Sequence, residues 1–242
     1  MRILIGSTGF VGQNLQSFIK FDHLYNSKNI NTFKATDVEI DLYLACLPAT
    51  KWLVNKDPIS DFKNAINIFN YIKNGKYNNV YLFSTIDIYQ NYPLHSNELT
   101  KIKSPTFGYG PNRYAFEVMI TNNLKYNNIK IIRLPALFGP GLKKNILFDI
   151  KNDNEIMKIN TNSFYQWYNM ERLEDDLNKI NLINHSIINM FPEPVNTLDF
   201  INNECGYHGD KMVYDFKTIH TPSGYWYDKD TSIEEIRKFL CK

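Results

Sequence analysis

The chain has 242 residues, 43% hydrophobic and 21% charged, with a formal net charge of +2. That suits one large globular domain, or a domain with a small appendage, burying roughly 70% of its unfolded surface. Scattered lysines and near-zero charge argue against a nucleic-acid face, and no apolar run approaches the roughly 18 residues of a membrane span. No signal peptide is read at the start, so cytoplasm is the expected compartment. Cys46, Cys205 and Cys241 have no metal-ligand spacing, and His23, His95, His185, His208 and His220 form no His-x-x-x-His pair, so no metal is expected. Cys46 lies in an apolar run and is expected in the core.

Residues 2–5 read as a short apolar strand. The turn Gly6-Ser7-Thr8-Gly9-Phe10-Val11-Gly12 follows, and Val11, Leu15, Phe18 and Ile19 then recur at helical spacing. A second strand is expected at 23–27, a buried one at 41–47, a helix over 61–74 and a strand over 79–85. A helix over 113–126, preceded by Tyr109 at its beginning, leads into a strand over 129–139. Beyond residue 143 the pattern weakens to a helix at 172–184, a last strand at 186–191 and a terminal amphipathic helix at 231–240, capped by Thr231 or Ser232. Apolar strands alternating with helices predict an α/β fold, a Rossmann-type doubly wound parallel sheet covered on both faces. The expected division is a dinucleotide-binding domain over 1–160 and a small mixed C-terminal substrate subdomain over 161–242, interleaved through the last strand.

Gly6, Gly9 and Gly12 between a strand and a helix let backbone approach a pyrophosphate, with Thr8, Phe10 and Val11 in the same loop. The other reading of three such glycines is a tight turn with close helix–strand contact. The residue after the second strand decides the dinucleotide. Asn26, Ser27 and Lys28 stand there; none is acidic, which favours the 2′-phosphate of NADP over NAD. Asp22 is close enough in sequence to keep NAD open.

"GSTGFVG", "FSTIDIYQ", "YGPNR", "RLPALFGPG" and "ERLEDDL" stand in that order along residues 1–185. In this the chain resembles the extended short-chain dehydrogenase/reductase family, the nucleotide-sugar epimerase, dehydratase and reductase group. The resemblance implies that Tyr109 is the acid/base, that Thr85 orients the substrate oxygen, and that position 113 holds the family's Lys. Here it is Arg113. A cation one helical turn from a tyrosine favours its phenolate. Arg113 keeps the charge and can still donate to a ribose hydroxyl, so it counts with Tyr109 among the expected cofactor contacts, but it is planar and forked and the exchange is not neutral. Three outcomes stay open: Arg113 substitutes for the Lys, the site only binds nucleotide, or Arg113 is a solvated helix residue out of register.

The resemblance also places Leu44, Ala45 and Leu47 beside the adenosine, and Pro135, Ala136 and Leu137 beside the nicotinamide. Asp87, Lys143, Gln166 and Tyr168 fall at the substrate. Lys143 and Lys144 read equally as solvated loop lysines, the aromatic cluster Phe164, Tyr165, Trp167 and Tyr168 as packing, and Asn64 as a helix cap. The expected function is NADP-dependent reduction of a keto group on a nucleotide-linked sugar. Ile86-Asp87 after Thr85 departs from the Asp-Glu usual in the family's dehydratases. A nucleotide-sugar epimerase and a non-catalytic NADP-binding sensor or assembly protein are the alternatives. Family members often dimerise through the helices at 61–74 and 113–126, so a homodimer is expected.

Overall fold

A computed structural model describes residues 1–34, 39–103, 106–201 and 211–241. Cys205 and His208 lie outside the described residues. In chain order the elements are β1 (Arg2–Ile5), α1 (Phe10–Gln16), β2 (His23–Tyr25), β3 (Ile40–Leu44), α2 (Lys51–Lys56), α3 (Pro58–Ile72), β4 (Lys76–Thr85), α4 (Tyr109–Asn123), β5 (Lys125–Leu134), β6 (Ala136–Phe138), α5 (Ile146–Lys151), β7 (Phe164–Tyr165), β8 (Trp167–Asn169), α6 (Leu173–Leu182), β9 (Ile187–Asn189), β10 (Val195–Asn196) and α7 (Lys229–Cys241).

Six strands form one parallel sheet in the order β2-β1-β3-β4-β5-β9. Side chains alternate across it, as the two-residue period of a strand requires. Ile3, Ile5, Leu42 and Leu44 join Ala65, Ile68 and Ile72 of α3 and Phe116 and Ile120 of α4 on one face. Leu4 and Tyr43 join Leu15 of α1 and Leu173, Leu177 and Ile180 of α6 on the other. The sheet is therefore doubly wound, which is why its strands read as unbroken apolar runs. The order reverses between β1 and β3. Parallel sheets leave a crevice above their carboxyl ends at such a switch point.

The pair β6–β8, the pair β10–β7 and helices α5 and α7 build a smaller apolar cluster around Phe138, Leu147, Trp167, Val195 and Ile236. The strand expected over 129–139 is two strands, β5 and β6, because Pro135 between them has no N–H for the ladder. Helix α4 starts one turn earlier than the apolar pattern, at Tyr109. The terminal helix is capped by neither Thr231 nor Ser232. It begins at Lys229, and Asp228 accepts the Thr231 N–H at 2.7 Å. Cys46 is only partly buried. Among the described residues no helix is long and apolar enough to cross a membrane, and no cluster of His, Cys, Asp or Glu could hold a metal.

Burial leaves its mark on the tyrosines. Tyr89 is fully buried, and burial pushes its phenol up to about 12 despite the opposing Arg133 charge. Burial also raises Tyr43 and Tyr77 above the ordinary tyrosine range. Unfolded, these groups ionise near pH ~10. Their folded pKa is the higher one, so their stabilising contribution is complete below about pH 10 and is lost as pH rises toward the folded values. Tyrosinate absorbance in an alkaline titration should therefore release these phenols together with the loss of circular dichroism. Release of all sixteen tyrosines near pH ~10 with the fold intact would contradict this.

Candidate functional site at the sheet's carboxyl edge

The glycine loop is built against the ends of β2 and β3. The N–H groups of Gly6 and Ser7 donate to Tyr25 O at 2.8 and 3.0 Å. Gly6 has φ +98°, and a Cβ there would stand 2.0 Å from Ala45 O. Gly12 packs its Cα face on the same loop, where a Cβ would meet Gly6 O at 2.2 Å. These two glycines close the fold. Gly9 is different: it is exposed, has ordinary φ (−76°), and a Cβ would meet only Gly6 O, at 3.3 Å, and Ala45 O, at 3.8 Å. With Gly9 at its N-cap, the first turn of α1 has no side-chain cap.

The two kinds of glycine predict opposite behaviour. Gly6→Ala should lower stability by at least about 2 kcal/mol through backbone strain. Gly9→Ala should change it by less than about 1 kcal/mol, as an exposed substitution does. Urea unfolding measures both, and equal losses would contradict the assignment.

At the tip of β2, Asn26 Oδ1 accepts the Lys28 N–H at 2.8 Å, and the Asn26 N–H donates to Asn29 Oδ1 at 2.7 Å. The Asn26 amide thus shapes the turn, and Ser27 and Lys28 are left exposed beside the glycine loop. Asp22 is at the opposite end of the strand, where it accepts the Arg2 N–H at 2.7 Å. Thr8 is exposed and Phe10 and Val11 half-buried. Leu44 is wholly buried, so only its backbone reaches the edge with Ala45. Pro135 is buried and Leu137 half-buried, just past Leu134, which pairs in register with Thr85.

Thr85 ends β4, and its Oγ1 accepts the Asp87 N–H at 3.2 Å. Gly110 brings α4 against this turn; a Cβ there would stand 2.1 Å from Asp87 O. The Tyr109 N–H is held by Asn55 Oδ1 at 2.9 Å. Its ring is half-exposed, while its hydroxyl end sits inward with the Thr85 and Arg113 side chains in hydrogen-bonding reach. Burial raises the Tyr109 phenol above the usual tyrosine value, with Asp87 adding to the rise and Arg113 opposing it. Asp87 is itself held by Lys51 Nζ at 2.6 Å and by the Tyr214 hydroxyl at 2.9 Å.

Arg113 is neither solvated nor free. It is 5% exposed, its Nη1 and Nη2 donate to the two Asp61 oxygens at 2.7 and 3.1 Å, and Nη2 also donates to Pro48 O at 2.5 Å. Its guanidinium lies 4.5 Å from the centre of the Tyr109 ring. Asp61, Asn55, Lys51 and Tyr214 were not singled out from the sequence.

Two expected substrate contacts are corrected. Gln166 is buried, its Nε2 donates to Pro192 O and Phe216 O at 2.7 and 2.9 Å, and its Oε1 accepts the Phe216 N–H at 2.9 Å. Tyr168 is fully buried and donates to Asp176 Oδ2 at 2.7 Å. Both side chains are fully engaged within the fold. Asn64 is an exposed residue inside α3, and Asp57 caps that helix instead. Lys143 is exposed, and Lys144 Nζ donates to Thr50 Oγ1 at 2.5 Å, joining the loops after β6 and β3.

No protein-family model matches the chain, and no curated protein matches it in sequence. Solved structures do share its fold. A UDP-galactose 4-epimerase superposes with TM-score 0.73 at 15% identity, covering 99% of this chain and 97% of that one. The dTDP-4-dehydrorhamnose reductase of Bacillus anthracis str. Ames, solved with NADP, gives 0.72 at 16% identity, with 99% and 97% covered. The UDP-N-acetylglucosamine 4-epimerase of Methanobrevibacter ruminantium M1, solved with UDP-N-acetylmuramic acid, gives 0.70 at 13%, with 99% and 96% covered. The likeness is one of fold along nearly the whole of each chain.

Proposed function

We propose that this chain is an NADP-dependent oxidoreductase that reduces a keto group of a nucleotide-linked sugar. The observation that carries the reading is the convergence of the glycine loop, Thr85 and a buried, protonated Tyr109 on one carboxyl edge of the sheet. The similar folds solved with NADP and with a UDP-sugar support the two ligand classes.

The residues fit the phosphate end of a nicotinamide dinucleotide. Gly9 presents an exposed loop face that the fold itself does not require to be glycine. Ser27 and Lys28, exposed after β2, would meet a 2′-phosphate, and Asp22 is at the wrong end of β2 for a ribose hydroxyl. Bound there, the dinucleotide would supply the hydride. Pro135 and Leu137 would flank its nicotinamide.

Reduction needs a proton for the carbonyl oxygen as it gains charge. Tyr109 keeps its proton at neutral pH and is the donor. Thr85 hydrogen-bonds the same oxygen, its own hydroxyl oriented by the Asp87 N–H. An enzyme that begins by oxidising an alcohol needs the phenolate instead, so the raised Tyr109 favours reduction over epimerisation. Lys143, exposed after β6, would meet a substrate diphosphate.

Consumption of NADPH, followed by absorbance against a panel of 4-keto dTDP- and UDP-sugars, tests the reading. Turnover that disappears in Tyr109→Phe is expected. The engagement of Arg113 by Asp61 favours one second reading, a non-catalytic NADP-binding protein. NADPH binding without turnover on any member of the panel would establish it instead. A second copy of the chain would pack on the exposed Ile59 and Val118 of α3 and α4; sedimentation equilibrium reads this directly.

A further inference from the structure

Among the described residues, the cations Arg113 and Lys51 at the Tyr109 site each carry a carboxylate. Arg113, one turn along α4, is held by both oxygens of Asp61. The pair is buried, with side chains 5% and 4% exposed. Asn112 Nδ2 adds a third donor to Asp61 at 2.9 Å, and the same amide group donates to Pro58 O at 2.8 Å, so the carboxylate is fixed to the start of α3. Lys51, from α2, is matched by Asp87 at 2.6 Å. Tyr214 and Thr85, both neutral, are also at the site, and both are hydrogen-bonded to Asp87. Among the described residues the charges there stand as the pairs Arg113–Asp61 and Lys51–Asp87.

The geometry of the first pair is specific. A guanidinium bound bidentately is fixed in its plane, and this one is fixed with its Cζ over the Tyr109 ring, 4.5 Å from the ring centre. A further bond from Nη2 to Pro48 O, at the loop after β3, gives the guanidinium a third anchor.

We propose that Asp61 is a positioning residue for the chemistry at Tyr109: it clamps Arg113 against the ring and offsets part of its charge, so that Tyr109 serves as a proton donor to a carbonyl and not as a base toward an alcohol. The proposal rests on the reading of Tyr109 as acid/base. It sets the direction in which that residue works, through a carboxylate 52 positions before Arg113 in the chain. The substitution of Arg at position 113 thereby acquires a purpose, since a planar fork takes a carboxylate in two parallel bonds and an ammonium does not.

The test follows the ionisation of Tyr109 itself, by NMR of ring-labelled tyrosine in the protein without added nucleotide, assigned by the signal missing in Tyr109→Phe. In the wild type the Tyr109 signal stays protonated above the ordinary tyrosine range. In Asp61→Asn the guanidinium, no longer offset, should lower its midpoint by about one pH unit or more, the size of effect a nearby opposite charge has. In Asp61→Asn/Arg113→Met, which removes both charges, the midpoint should not fall below that of the wild type, since the cation that lowers it is gone. A folded Asp61→Asn protein with an unmoved Tyr109 overturns the proposal. So does a double variant whose midpoint falls as far as that of Asp61→Asn, because the shift would then not come through Arg113. If Asp61→Asn does not fold, the double variant decides alone. None of these readouts uses turnover. Failure to reduce any keto-sugar would remove the functional reading, while the titration would still decide what Asp61 does to Tyr109.

Discussion

Tyr109→Phe should lower turnover by about 10²–10⁴-fold, the usual worth of a positioned general acid, and leave the melting temperature unchanged. The substitution removes one oxygen. The ring that meets the Arg113 guanidinium remains, and so does the backbone bond from residue 109 to Asn55. Thr85 keeps its own partner, the Asp87 N–H. What disappears is the hydroxyl in reach of both the Thr85 and the Arg113 side chains. Dinucleotide affinity should be unaltered, since the glycine loop lies on other strands. Steady-state rates and a thermal melt decide the matter. A variant that retains wild-type turnover would show that the proton comes from elsewhere, with Asp87 or Tyr214 the nearest candidates.

Arg133→Met should destabilise the fold by about 3–5 kcal/mol, the cost of leaving a buried ion uncompensated. Arg133 and Glu117 are each 2% exposed. Arg133 Nη2 and Nε donate to the two Glu117 oxygens at 2.6 and 3.1 Å, and Nη1 donates to the Tyr89 hydroxyl at 2.6 Å. Ser84 adds a fourth bond, from Oγ to Glu117 Oε1 at 2.5 Å. This network ties α4 to β4 and β5 two turns beyond Tyr109, so it also sets the height of Tyr109 above the sheet. Arg133→Met/Glu117→Leu should recover most of the loss, because an apolar replacement of a buried pair is often neutral. Urea unfolding of both variants reads the two numbers. A single variant within 1 kcal/mol of wild type, well short of the loss expected for a broken buried pair, would mean the pair is solvated.

The sheet was legible because its strands are covered on both faces and so read as apolar runs. The glycine turn was legible because Gly6 must reach a positive φ under Ala45 O and Gly12 must let α1 close on the loop. Helix α2 was not, since Lys51–Lys56 is too short to show a period. Asp61 was invisible for another reason: its meaning comes from a residue on the neighbouring helix, and nothing local marks it apart from the other polar residues of α3. Lys51, Asp87 and Tyr214 meet across 36 and 127 positions in the same way. Gln166 and Tyr168 misled in the opposite direction. Polar side chains in an aromatic stretch look like ligand contacts, yet both satisfy groups buried inside the fold.

The most direct test of the account is an equilibrium titration of the purified chain with NADPH and with NADH, followed by nicotinamide fluorescence, repeated on Gly9→Ala. The account predicts tight NADPH binding, weaker NADH binding, and a loss of both in Gly9→Ala without loss of stability. Binding of neither nucleotide by the folded wild-type chain would contradict it, and Tyr109 and Thr85 would then have no hydride donor to serve.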